Sequence, residues 1–298
     1  MTYVFAGNRG FVYWRMRAMD LDVPHVFAVD GSYLHRELVA REVPHHLLPG
    51  KADFVSALAS LEFDVLVSNG CPIILPIASL VETTGAQCVN VHPSLLPKLR
   101  GTDPVPGAIL FGEDSGATCH VMDDGIDTGP IISQVRIPMT DDLDAGLLYQ
   151  LSFRAEVEVF EEAHARNFQP DLSLQPPPDD PGSYYTFKPD DLELDFTASD
   201  EDIVRKVRAF ATRSKGAWFS HRGRRFKVRA VDVVTNAYVC CDAGRYGCNE
   251  IVFRYEDAVV VARGLEFLKL SCMDGDLSAV CVGDTLDTQP CGEIAHAT

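Results

Sequence analysis

The chain predicts an α/β fold, a mainly parallel sheet covered on both faces by helices and followed by a smaller β-rich domain. Three observations carry that prediction. Over roughly the first 165 residues, short apolar strands alternate with amphipathic segments of helical spacing. A proline-rich stretch, QPDLSLQPPPDDPGS (Gln169 to Ser183), then breaks the alternation as a linker does. Beyond it, short strand candidates separated by Gly or Asp take over. The expected domains are residues 1–180 and 184–298.

In chain order, the strand candidates are YVFA (Tyr3 to Ala6), HVFAV (His25 to Val29), DVLVSNG (Asp64 to Gly70), CVNVHP (Cys88 to Pro93) and TCHVM (Thr118 to Met122). GSYLHRELVARE and KADFVSALASLEF place apolar residues at helical spacing between the first four of them, which implies a mainly parallel sheet covered on both faces. One long helix is expected over roughly Asp144 to Asn167, with the stripe Tyr149, Leu151 and Phe153 read as core rather than interface. The oligomeric state is not legible. In the second domain, DEDIVRKVRAFA reads as a helix, and RRFKVRAVDVV, AYVCC, EIVFRY, AVVVA and LEFLKL read as strands. There is no internal repeat.

At 298 residues, with 46% hydrophobic and 23% charged side chains, the chain can bury a large core. It has neither a leader-like segment nor an apolar run of roughly 18 residues, so membrane partners are not expected and the cytoplasm is. Nine cysteines fit reduced thiols. Six of them (Cys240, Cys241, Cys248, Cys272, Cys281 and Cys291) fall late in the chain without a CxxC pair, so no metal is expected. A formal charge of −17 argues against a surface that grips nucleic acid throughout. Ile203 to Arg229 nevertheless holds Arg205, Lys206, Arg208, Arg213, Lys215, Arg222, Arg224, Arg225, Lys227 and Arg229 without an acid, either a solvated face or a contact for an anionic ligand.

The chemistry-bearing stretches are NVHPSLLPKLRG (Asn90 to Gly101) and MDDGIDTGPII (Met122 to Ile132). Side chains at i and i+2 share a strand face, so Asn90 and His92 point together at the end of CVNVHP. An amide donor beside an imidazole can polarise a carbonyl while a proton moves. Pro93 and Pro97 stiffen the segment that holds His92. Asp127, between Gly125 and Gly129, could orient that imidazole. The residue types alone also fit a structural histidine and a turn aspartate, and that alternative stays open. A dinucleotide fingerprint would need glycines at 7, 9 and 12, but Gly7 is followed by Arg9 and Val12.

NVHPSLLPKLRG followed by SGATCHVMDDGIDTGPII resembles the 10-formyltetrahydrofolate-dependent formyltransferase family, which includes methionyl-tRNA formyltransferases and sugar N-formyltransferases. The resemblance is strong from about Ser68 to Gln134 and weaker beyond Tyr184, where DLELDF, VRAF and GAWF resemble the opening of the family's C-terminal domain. It implies a Rossmann-like catalytic domain, an open-barrel, OB-like second domain, and 10-formyltetrahydrofolate as co-substrate. It implies that Asn90, His92 and Asp127 are catalytic: Asn90 donating to the formyl oxygen, His92 handling the proton, Asp127 positioning His92 or a relay water. The pterin is expected against Ile73, Ile74 and Leu75 and the loop holding Asp124, Gly125, Ile126 and Gly129.

Two departures bear on the acceptor. Methionyl-tRNA formyltransferases usually carry NPWPGAW where this chain has ATRSKGAWF (Ala211 to Phe219), and a basic insertion early in the first domain that AGNRGFVYWRMRAM does not show. The expected partner is therefore a small, anionic amine, an amino-sugar nucleotide ranking above an amino acid or natural-product amine and above tRNA. Hydrolysis of the same folate, and a non-catalytic module, are the competing readings.

Overall fold

The computed structural model describes residues 1–177 and 179–286, so Cys291 and the end of the expected second domain lie outside the described residues. The contacts group the chain into two compact units. One comprises residues 1–105, 114–138 and 149–186, the other 106–113, 139–148 and 187 onward. Thus 106–113 and 139–148, inside the first domain by sequence, group with the C-terminal unit.

The first unit is built on a seven-stranded sheet of β1 (Thr2–Gly7), β2 (Asp22–Ala28), β3 (His46–Leu47), β4 (Val65–Asn69), β5 (Gln87–His92), β6 (Ser115–Val121) and β7 (Ile131–Ile137), in the order β3-β2-β1-β4-β5-β6-β7. The pairs from β3 to β5 are parallel. The last two are antiparallel, which makes the sheet mixed. Helices α1 (Phe11–Ala18), α2 (Tyr33–Ala40), α3 (Lys51–Ala59) and α4 (Ile77–Thr84) lie between the parallel strands. Ser32 caps α2 by accepting the His35 N–H at 3.1 Å, and Gly85 ends α4 in the left-handed conformation. Helix α5 (Pro104–Phe111) follows β5, and the expected long helix is α6 (Ala145–Ala165).

Alternation along the strands builds two cores. Tyr3, Phe5, Val65, Val67, Val89 and Val91 join α1 and the α6 residues Ala155, Val159, Phe160 and Ala163. Val4, Ala6, Leu66 and Cys88 pack on the other face with Phe54, Leu58, Ile77 and Leu80. Of the expected stripe, Tyr149, Leu151 and Phe153 are only partly buried; the core face of α6 runs through Ser152, Ala155, Glu156, Val159, Phe160 and Ala163 instead.

In the second unit, α7 (Asp200–Ala209) is capped by Ser199 and precedes the hairpin β8 (Ala217–His221) and β9 (Arg224–Val228). Strands β10 (Ala230–Val234), β11 (Ile251–Tyr255), β12 (Ala258–Arg263) and β13 (Glu266–Ser271) form an antiparallel sheet ordered β10-β13-β12-β11. Reciprocal 3.0 Å backbone bonds between Lys227 and Asp274 join hairpin and sheet chain segments. Two sequence expectations are corrected. RRFKVRAVDVV is two strands, because the chain changes partner at Arg229, from β8 to β13. AYVCC is not a strand: Asn236 accepts the Tyr238 N–H and starts the short helix α8 (Ala237–Cys240). The basic segment is largely committed within its own unit. Arg205 pairs with Glu201, Arg222 with Asp284, Arg224 with Asp276 and Arg229 with Asp274, while Arg225 lies 3.7 Å over the Trp218 ring. No helix among the described residues is long and apolar enough to cross a membrane.

Strands β1 and β4 approach closely at Gly7. A Cβ at Gly7 would lie 2.1 Å from the Asn69 carbonyl oxygen. Gly7→Ala is expected to force the two strands apart and cost about 1–3 kcal/mol, read as a lower urea midpoint.

Candidate active site

Asn90 and His92 occupy the last positions of β5, and their side chains share the face of Cys88. The loop between β6 and β7 returns alongside them. Asp127, in that loop, has φ +54°, a left-handed conformation that Asp and Asn tolerate better than most residues. Its carboxylate is thereby turned inward: Oδ1 accepts from Asn90 Nδ2 at 3.1 Å, Oδ2 accepts from the Gly101 N–H at 3.0 Å, and His92 Nδ1 lies 3.6 Å from Oδ2. The three residues expected to act together are together.

The segment after β5 completes the frame. His92 Nε2 donates to the Leu99 carbonyl at 3.0 Å, leaving Nδ1 to face Asp127. The Leu99 N–H donates to Ser183 Oγ at 2.8 Å, and Arg100 exchanges backbone hydrogen bonds with Ser183 and Tyr185. Across the antiparallel pair, Thr118 stands opposite His92, donating to the Ser94 carbonyl and accepting from the Leu96 N–H.

Burial pushes the His92 imidazole below its ordinary value, against the raising effects of Asp127 and the Leu99 carbonyl, so it is neutral at neutral pH. For Asp127, burial works upward but is outweighed by the His120 and His92 rings once they carry a proton toward it, and by the Gly101 N–H, which hold the carboxyl at about 2. The arrangement therefore presents a neutral base, a fixed carboxylate and an amide donor side by side.

His120 is the member that sequence reasoning missed. It stands opposite Asn90 in the β5–β6 register, where side chains share a face. Its Nδ1 donates to the Val121 carbonyl at 2.9 Å, so Nε2 accepts from Asn90 Nδ2 at 3.2 Å. Both hydrogens of the Asn90 amide are thus directed, one to His120 and one to Asp127. The signal was available in TCHVM once β6 is read as antiparallel to β5.

These groups open onto a cavity of about 380 Å³. Of the residues expected to meet the pterin, Ile73, Ile74, Leu75, Gly125 and Ile126 line this cavity, with Ile74 54% and Ile126 41% exposed, an apolar surface suited to a flat ring. The other two expected contacts lie off the wall. Asp124 Oδ1 accepts the Ala78 N–H at 3.2 Å and fastens the loop to α4, and at Gly129 a Cβ would meet the Val121 carbonyl at 1.8 Å. Asn8, Arg9, Thr102 and Tyr184 also line the cavity and were not anticipated.

A carboxyl held at about 2 rather than 3.8 contributes roughly 2 kcal/mol of stability. Because the folded-state value is the lower one, that contribution is full above about pH 4 and is lost as pH falls through about 2. Asp127→Asn, which keeps the left-handed turn, should show an unfolding free energy below the parent's at pH 6. The gap should close between pH 4 and 2 in chemical denaturation.

The chain matches the formyl transferase family model over residues 44–163 and the formyl transferase C-terminal domain model over residues 186–274. It is 36% identical over 197 residues to the methionyl-tRNA formyltransferase of Rhizorhabdus wittichii, covering 64% of this chain and 61% of that protein. The chain thus spans about three-fifths of that relative's length. To the methionyl-tRNA formyltransferase of a Janthinobacterium species it is 31% identical over 237 residues, 70% of this chain and 74% of that one. The structure of the N-formyltransferase from Helicobacter canadensis, in complex with folinic acid and dTDP-3-aminofucose, superposes with a TM-score of 0.67. The superposition covers 91% of this chain and 99% of that one at 19% identity, a likeness of fold. With both family models matched in order along one chain, and a relative above 30% identity aligned over nearly three-quarters of its length, this protein belongs to the formyl transferase family.

Proposed function

We propose that the protein moves a formyl group from 10-formyltetrahydrofolate to the primary amine of a small acceptor, an amino-sugar nucleotide being the acceptor class we favour. The observation that carries this reading is the meeting of Asn90, His92 and Asp127 on a cavity that also exposes Ile74 and Ile126. The apolar residues suit the folate ring, and the polar trio suits acyl transfer.

In that reaction the amine attacks the formyl carbon, charge gathers on the formyl oxygen, and the folate nitrogen leaves with the proton that His92 first takes from the amine. His92 is the base. Its Nε2–H is occupied by Leu99, so Nδ1 takes the proton of the attacking amine, and the resulting imidazolium faces Asp127 at 3.6 Å. Asn90 supplies the oxyanion donor when one amide hydrogen turns from Asp127 to the formyl oxygen, while His120 retains the other. Asp127 holds both partners in place, and no covalent enzyme intermediate is required.

A transfer-RNA acceptor is the second reading, favoured by the sequence relatives, which are named methionyl-tRNA formyltransferases. Support for a small acceptor comes from three features: the charge of −17, the short β1–α1 connection of residues 8–10 in the stretch that shows no basic insertion, and the carboxylates that already engage Arg205, Arg222, Arg224 and Arg229.

Isotopically labelled 10-formyltetrahydrofolate, offered with amino-sugar nucleotides, amino acids and methionyl-tRNA, tests the reading by mass spectrometry. A labelled amide on a sugar nucleotide is the expected result. Label only on tRNA moves the protein to the second reading, and label only in formate makes it a hydrolase. His92→Ala should lower kcat by about 100- to 10,000-fold and Asn90→Ala by about 100- to 1,000-fold. Because burial depresses His92, the acid limb of kcat/KM should have its midpoint below 6.5 and be absent in His92→Ala.

A further inference from the structure

We infer that Arg9 selects the acceptor by binding an anionic group on it, a carboxylate or a phosphate, inside the same cavity. The inference rests on the formyl-transfer reading for the identity of the acceptor, but not for the location of the anion site.

Arg9 follows β1, and the strand order β3-β2-β1-β4-β5 makes the β1–β4 edge the switch point of the sheet, where ligands of such folds enter. The cavity is lined there by Asn8 and Arg9 after β1, Gly70 and Cys71 after β4, and Asn90 and His92 from β5. Arg9 is the sole Lys or Arg among the described lining residues, in a chain whose formal charge is −17. Its charge reaches the reacting groups: after burial and nearer neighbours, it is among the influences that lower His92.

The side chain is held from two sides. Glu156, fully buried on the core face of α6, pairs with Arg9 Nη1, and the Phe153 ring lies 5.9 Å from the guanidinium while stacking on Phe11 at 4.8 Å. Burying a carboxylate in the apolar stripe of a helix adds little net stability, since desolvation offsets the attraction. What the pair does provide is a guanidinium of fixed orientation, 19% exposed, with donors beyond the one given to Glu156. A fixed planar fork is the arrangement that recognises carboxylate and phosphate. It explains why a charge stands at position 156, where the helical pattern calls for an apolar residue.

The test uses the full chain, Arg9→Lys, and the double variant Arg9→Gln with Glu156→Gln, which removes the buried charges together and so protects the fold. Binding is measured calorimetrically for glucosamine 6-phosphate against glucosamine, and for glycine against glycinamide; the two arms separate phosphate from carboxylate. The parent should prefer the anionic member of one pair, and the double variant should lose about 10- to 100-fold in affinity for it while keeping its affinity for the neutral member. Arg9→Lys, which keeps the charge but not the fork, should fall between and decides the matter if the double variant does not fold. No anionic preference in the parent, a preference that survives both variants, or equal loss of anionic and neutral ligands would overturn the inference. So would a loss confined to tetrahydrofolate, which would assign Arg9 to the donor. An Arg9-dependent preference in a protein that formylates no amine would instead leave the anion site standing and refute the transfer reading.

Discussion

Two loops and the end of a strand meet on one partly buried carboxylate. Asp127 reaches Asn90 and His92 at the end of β5 and the Gly101 N–H in the loop beyond it, and it does so from a left-handed residue in the β6–β7 loop. An ionised carboxylate in such a place is tolerable only because each oxygen has a donor or a cation-capable ring near it. The same bonds therefore set the conformation of two loops and the orientation of the His92 imidazole. Asn90, His92 and His120 are ordered around that charge rather than independently of it.

Much of this was legible. The parallel half of the sheet followed from apolar runs alternating with amphipathic segments, and the five strand candidates of the first domain all became strands. Asn90 and His92 sharing a face needed only the two-residue period of a strand. The antiparallel arm was not legible, because the periodicity of an apolar segment carries no direction, and the direction of β6 is what sets His120 opposite Asn90. Pairing is a long-range property, and a histidine in a strand acquires meaning only with its neighbour.

Charge patterns were harder still. The segment from Ile203 to Arg229 looks uniformly basic in one dimension, yet the acids at 274, 276 and 284 arrive from later turns and engage Arg229, Arg224 and Arg222. Conversely, Arg9 looks unremarkable in a loop, and its setting depends on Glu156 nearly half a chain away. A glutamate within an otherwise apolar helical stripe was the one local sign of that pair, and it is a sign of a partner without being a sign of which one.

The stretch Ser183 to Thr186 reads as the end of a linker, but it runs beside Arg100 as a short parallel pairing and seats Leu99, the residue whose carbonyl holds His92. The tether between the two halves of the chain is thus part of the frame that holds His92. Recombination that treated the first 180 residues as an exchangeable cassette would carry away His92 and leave its support behind. Residues 106–113 and 139–148 also group with the second unit, so a single cut after Thr186 does not exchange that unit whole.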